Sequence, residues 1–143
     1  STNAADYESF IKINKPKYDD SWERWNRTLD MLKDLDTRTV LRITLIRNYN
    51  DQKEMIPAFA DMFRKASPHF IEIKSYMHIG RSTNRLEHEN MLEMSEVKKF
   101  SEEIAKQSKI FSIMDESLVS RISILQNNER FIDRWISAYA STN

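Results

Sequence analysis

Arg42 and Thr44 stand two apart in the run Thr39-Val40-Leu41-Arg42-Ile43-Thr44-Leu45-Ile46-Arg47, and Glu72 and Lys74 stand two apart in Phe70-Ile71-Glu72-Ile73-Lys74-Ser75-Tyr76-Met77. Side chains alternate across a strand, so each pair shares one face, opposite Leu41, Ile43 and Leu45 on the first strand and Ile71 and Ile73 on the second. Central strands of a parallel sheet are covered on both faces and are nearly all apolar. Polar residues in the same phase on two such strands therefore mark one face as different. Two arrangements accommodate three charges there, since an unpaired buried ion is strongly unfavourable. One is a structural network closed on itself, for instance Arg42 with Glu72, or an edge strand in water. The other, carried forward here, is a polar cavity that holds a ligand. Lys74 extends the choice: an amine against apolar walls acts as a base or Schiff-base nucleophile, whereas pairing with Glu72 keeps it a plain cation.

Directly after the second run comes Met77-His78-Ile79-Gly80-Arg81-Ser82-Thr83-Asn84-Arg85-Leu86-Glu87-His88-Glu89-Asn90. The C-terminal ends of parallel strands are where α/β folds place their sites. Arg81 and Arg85 could hold phosphates, and Asn84 and Asn90 could bond base edges or sugar hydroxyls; a solvated loop with a C-cap glycine is the plain alternative. His78 and His88 lie ten apart without a third ligand, so no metal site is expected, and His69 reads as structural. Lys12, Lys15 and Lys17 form a basic strip of the kind that is mostly solvated. Trp22, Trp25 and Trp135 read as core or helix-packing residues. Ser112, Asp115 and His78 make no hydrolase arrangement, and no nucleophile elbow is present.

The elements that must carry these residues alternate. Residues 1–18 read as a strand end, a short turn or helix, and a loop. From Asp20, the spacing of Trp22, Trp25, Leu29, Leu32 and Leu35 predicts a helix of about 15 residues. The first strand follows, closed by Asn48-Tyr49-Asn50-Asp51. Met55, Ile56, Phe59, Met62, Phe63 and Ala66 mark a second helix, ended by Pro68 before the second strand. After the polar segment 78–94, long enough to be functional or mobile, Val97, Phe100 and Ile104 mark a third helix leading to the strand Ile110–Met114. Asp115-Glu116-Ser117 reads as a turn, Arg121–Leu125 as another strand, and Phe131, Ile132, Trp135, Ile136 and Tyr139 as a last helix. The order α-β-α-β-α-β-β-α predicts one α/β domain over 1–143, with mostly parallel strands joined by right-handed crossovers.

Composition narrows the classes of function. The 143 residues carry 22 Lys+Arg against 22 Asp+Glu, so nothing global draws the chain to nucleic acid and a local basic patch would have to do so. A single Gly excludes the glycine-rich phosphate loops. Zero Cys excludes disulfides and any cysteine-held zinc or iron–sulfur centre within this chain. No apolar run approaches a membrane span and no signal peptide opens the sequence, so a cytoplasmic, membrane-free setting is expected.

Several of these segments, taken together, resemble one family. Asp6-Tyr7-Glu8-Ser9-Phe10-Ile11-Lys12-Ile13-Asn14-Lys15-Pro16, Trp22-Glu23-Arg24, Arg38 to Leu45, Asn50, and Pro68-His69-Phe70 through Met77 are similar to the C-terminal half of the radical S-adenosylmethionine tRNA 4-demethylwyosine synthases. Gly80, Ser82, Arg85-Leu86, Asn90-Met91, Glu96 and Ser120-Arg121 continue the likeness. The resemblance implies the C-terminal half of a partial (β/α)₆ barrel with an added C-terminal strand and helix, Ser1 to Ala4 being the frayed end of a preceding strand. It implies a lyase that uses S-adenosylmethionine and a [4Fe–4S] cluster to join a two-carbon fragment of pyruvate to N1-methylguanosine in the tRNA anticodon loop, in wybutosine biosynthesis. The cluster's cysteine motif belongs to the other half, so this chain reads as a fragment or one polypeptide of a split enzyme, inactive alone. Carried over by position, Asn3, Arg42, Thr44 and Asn50 fall on the adenosylmethionine side. Lys74 and Glu72, as catalytic groups, and Arg81, Arg85 and Asn90, as binding groups, face pyruvate or tRNA. A stand-alone tRNA-binding or assembly module without chemistry is the alternative.

Overall fold

The computed structural model describes residues 1–135. Helix α1, Tyr7–Asn14, starts where the Asp6 carboxylate accepts the Ser9 N–H at 2.9 Å, satisfying a donor the helix itself leaves open. Lys15, in the left-handed region at φ 47°, ends it. Helix α2, Ser21–Leu32, is three residues shorter than its apolar spacing predicts, and Leu35 beyond it is exposed. Trp22 ties the two helices together, its ring 5.2 Å from Phe10 and 6.1 Å from Tyr7.

Strand β1, Val40–Leu45, helix α3, Ile56–Ala66, and strand β2, Phe70–Ser75, form a βαβ unit, with the two strands parallel and Arg42 opposite Glu72, Thr44 opposite Lys74. Helix α4, Met94–Ser108, follows, capped by Glu93 and Glu96, and leads to β3, Phe111–Ser117. Ser67 and Lys109 terminate α3 and α4 in the left-handed conformation. Strand β4, Ile122–Asn127, closes the order β1-β2-β4-β3.

That order corrects the expectation of a mostly parallel sheet. β4 is antiparallel to both β2 and β3 and lies between them. Its connection to β3 is the turn 118–121, closed by the Arg121 N–H on the Leu118 carbonyl; so short a link can only make a hairpin, since a parallel return needs a crossover of a dozen or more residues. Asp115-Glu116-Ser117 is strand rather than turn, beside an irregularity between Ile113 and Asp115 on the edge strand. At the other edge, Thr2 makes a parallel bridge to Ile43, its N–H on the Arg42 carbonyl at 2.7 Å. The chain start thus behaves as a strand end beside β1.

One face of the sheet is the core. Leu41, Ile43, Leu45, Ile71, Ile73 and Leu125 pack against Phe59, Phe63, Val97, Phe100 and Ile104 of α3 and α4, with Leu29 of α2. His69, also buried, links the start of β2 to β1: its Nδ1 accepts from the Thr39 N–H at 3.2 Å and lies 2.9 Å from the Thr39 hydroxyl. Burial, then the Arg130 and Arg38 charges, lower its pKa, in keeping with a neutral acceptor ring. The structural reading of His69 holds. Residues 131–135 carry no helix; Trp135 is exposed and stacks under Arg134 at 4.7 Å instead of joining the core. The rest of the expected last helix, including Ile136 and Tyr139, lies outside the described residues. Among the described residues no helix is long and apolar enough to cross a membrane.

Candidate functional site

The second face of the sheet carries Arg42, Thr44, Glu72 and Lys74 and is open rather than enclosed: the Arg42 side chain is 50% exposed and neighbouring Val40 52%. The expected ligand-sized hollow is therefore one wall, without the opposite side. Arg42 and Glu72, opposite each other across the β1–β2 ladder, make a two-pronged ion pair, Nε to Oε1 and Nη2 to Oε2, both 2.9 Å. Such fork geometry holds the Glu72 carboxylate in one orientation. With Glu72 turned to β1, Lys74 has no carboxylate within 4 Å among the described residues. It is half-buried between Thr44 on β1 and Ile122 on β4. The closed pair of the first reading is present at Arg42–Glu72, and Lys74 stands beside it without a carboxylate partner among the described residues.

Asn3 and Asn50 brace this wall. The Asn3 carbonyl oxygen of the side chain accepts the Thr44 N–H at 3.2 Å. Asn50 is fully buried, accepting the Ile46 N–H at 2.7 Å and donating to the backbone carbonyls of Asn3 and Thr44, both at 2.9 Å. Its amide is committed to backbone, so Asn50 shapes the strand end and touches a ligand only through what it positions. Thr44 itself is partly buried and Arg42 exposed on this face.

The segment after β2 is built from two short 3-10 turns, Gly80–Asn84 and His88–Asn90. Gly80 has φ +62°, a left-handed position that favours the residue without a Cβ. Sequence reasoning missed the residue that pins this loop. Arg47, at the C-terminal end of β1, donates Nε to the Glu89 carbonyl (3.0 Å) and Nη2 to the Met91 carbonyl (2.9 Å), and forks onto Glu96 at 2.6 and 2.7 Å. The Arg47 hydrogen bonds hold the Glu96 carboxyl below its ordinary range, against burial and with help from the Glu93 N–H. Asn90 completes the clamp, donating to the Arg47 carbonyl at 3.1 Å and accepting the Glu87 N–H at 2.8 Å. Only the partner 49 residues away explains Arg47, and no local spacing shows it.

Arg81 and Arg85 are exposed on this loop. At its root Tyr76, nearly buried, sets its hydroxyl 3.1 Å from His78 Nδ1, and the His78 and His88 rings meet edge-on at 6.1 Å. Among the described residues no group of three His, Asp or Glu side chains could hold a metal, and the chain has no thiolate. These residues do not fit an iron–sulfur cluster, whose irons take cysteine ligands.

Comparison with known proteins agrees with this architecture. The family described as wyosine base formation matches residues 65–127. An S-adenosyl-L-methionine-dependent tRNA 4-demethylwyosine synthase of Methanocaldococcus jannaschii is 41% identical over 93% of this chain and 41% of its own length. Its counterpart from Pyrococcus abyssi is 36% identical over 90% of this chain and 37% of its own. A solved structure described as TYW1 with a lysine-pyruvate adduct bound superposes with a TM-score of 0.81 at 39% identity, covering 92% of this chain and 40% of that one. Over nearly its whole length this chain is similar to a part of the tRNA 4-demethylwyosine synthases. It spans about two fifths of the length of these relatives. The mixed α/β fold described above is similar to that of this solved structure over 92% of the chain.

Proposed function

We propose that this chain forms one wall of a cytoplasmic radical lyase that condenses N1-methylguanosine of tRNA with pyruvate to give 4-demethylwyosine. The observation that carries the reading is the likeness to synthases of that name, 36% to 41% identical over 90% or more of this chain, joined to a polar sheet face that is open where a barrel would have its lumen. In this reading the sheet is part of a partial (β/α)₆ barrel, and the remaining length seen in the relatives supplies the opposite wall and the cysteines for a [4Fe–4S] cluster. This chain alone is then inactive. S-adenosylmethionine, when bound, supplies the radical that starts the chemistry; here Arg42 and Thr44 would face it, with Asn3 and Asn50 fixing the strand end that presents them.

Lys74 is the only lysine on the four strands and the one cation of the wall without a carboxylate partner among the described residues. We assign it the keto carbon of pyruvate, to which its amine would add with loss of the carbonyl oxygen as water, with Glu72 held aside by Arg42 so that it does not pair with the amine. The lysine-pyruvate adduct in the solved relative supports an amine as the partner of this keto acid. Arg81, Arg85 and the Asn90-clamped loop would face the anticodon loop.

The test is the assembled enzyme, this chain with its cysteine-bearing part, assayed for 4-demethylwyosine in tRNA by mass spectrometry. No product from a cluster-loaded assembly that cleaves adenosylmethionine ends the reading; tRNA binding without any product supports the non-catalytic module instead. Lys74→Ala and Lys74→Arg should both lower turnover roughly 100-fold or more, because neither side chain forms the imine, and borohydride should trap pyruvate on the Lys74 peptide of the parent. A Lys74→Arg variant that keeps most of its turnover, with nothing trapped by borohydride, replaces the imine by an ionic contact to the pyruvate carboxylate. Full activity in both removes Lys74 from the site.

A further inference from the structure

The basic strip on α1 and the loop after β2, far apart in sequence, meet in one cleft. Lys12, Ile13 and Lys15 of α1, Tyr49 of the turn after β1, and Arg85 and Leu86 line a hollow of about 90 Å³. Ile13 and Leu86 are partly buried and supply apolar lining, Lys12 Nζ stands 5.5 Å from the centre of the Tyr49 ring, and Lys15 and Arg85 are exposed beside it. None of the three cations has a carboxylate within 4 Å among the described residues, although the chain carries as many acids as bases. Glu87, next in the chain and itself exposed, sets its carboxylate on the backbone N–H of Asn90 in its own turn.

Like charges brought together without counter-ions repel, and a folded chain of zero net charge has acids at hand to relieve that. Asp6 and Glu8 share an adjoining hollow with Lys12, and Asp19 one with Lys15, yet none pairs with them directly; three cations without a direct carboxylate partner around one small hollow point to an anion supplied from outside. Both the Tyr49 turn and the Arg85 loop follow the C-terminal ends of the parallel strands, near which Lys74 stands on β2, so the cleft lies at the same end of the sheet as the proposed site. We propose that this cleft is a phosphate clamp for the backbone of the RNA, gripping the strand beside the nucleotide that enters the site. The proposal rests on the tRNA reading above and adds α1 and Tyr49 to its contact surface. Lys and Arg act here as phosphate contacts, which set register and orientation without reading sequence.

The decisive measurement is the salt dependence of tRNA affinity for the assembled enzyme, by fluorescence anisotropy, in the parent and in a Lys12→Gln, Lys15→Gln, Arg85→Gln triple variant. Each single-stranded phosphate contact contributes about 0.7 to the logarithmic salt slope, so the triple variant should flatten the slope by about 2 and bind roughly 10- to 100-fold more weakly at physiological salt. Lys33→Gln, on the exposed far end of α2, should change neither. A parent that does not bind tRNA overturns the tRNA reading itself. A parent that binds, with a folded triple variant of unchanged slope, overturns the clamp and leaves that reading intact. Unfolding midpoints of all variants confirm that the fold is not what changed, and the single variants replace the triple one should it fail to fold.

Discussion

The two faces of this sheet are made by the same four strands and obey opposite rules. On the helix-covered face, Ile43, Leu45, Ile71, Ile73 and Leu125 are completely buried against α3 and α4. On the other, Arg42, Glu72 and Lys74 alternate with them residue by residue and stay in reach of water. The first face fixes where the strands lie. The second has no part in that and is free to carry charge, so stability and chemistry are separable along each strand.

Substitutions sharpen that contrast. Phe63→Ala, on the covered side between Phe59 and Phe111, should lower unfolding free energy by about 3–5 kcal/mol in urea titrations, the usual result of emptying a buried aromatic site; a change below 1 kcal/mol would mean the helix face is not the core. Arg47→Ala should lower it by about 1–2 kcal/mol, reduced from the usual value for charge-assisted bonds because both partners are about one-third exposed. It should also alter the acid limb. Because Glu96 has a folded pKa below its ordinary 4.5, its contribution is complete above that pH and fades as pH falls through the folded value. The variant should lack that part of the decline. The smallest effect belongs to Arg42→Ala, within about 1 kcal/mol, since an ion pair with a half-exposed member adds little. A large loss there would join the two faces and undo the separation.

Much of this was legible from local pattern. The phase of Arg42, Thr44, Glu72 and Lys74 against their aliphatic neighbours marks the two faces correctly, because alternation is a property of the strand alone. What escaped depends on distant partners or on edge context. Asp115, Glu116 and Ser117 have poor strand propensity, yet form β3 because an irregular edge strand tolerates charge. The inversion of β4 followed from a four-residue turn lacking Gly or Pro, which offers no signal. That the amides of Asn50 and Asn90 bond backbone far along the chain is something their sequence neighbours do not show. Arg47 went unnoticed for the same reason.

Three helices stop at Lys15, Ser67 and Lys109 rather than at the glycine such endings prefer. Each stop holds an L side chain where its Cβ crowds the next carbonyl. Glycine there would relieve the crowding but widen the wandering of the unfolded chain. A sequence with one glycine thus begins folding from a stiffer, less numerous set of shapes, and exchanging Lys109 for glycine should leave its melting temperature nearly where it stands.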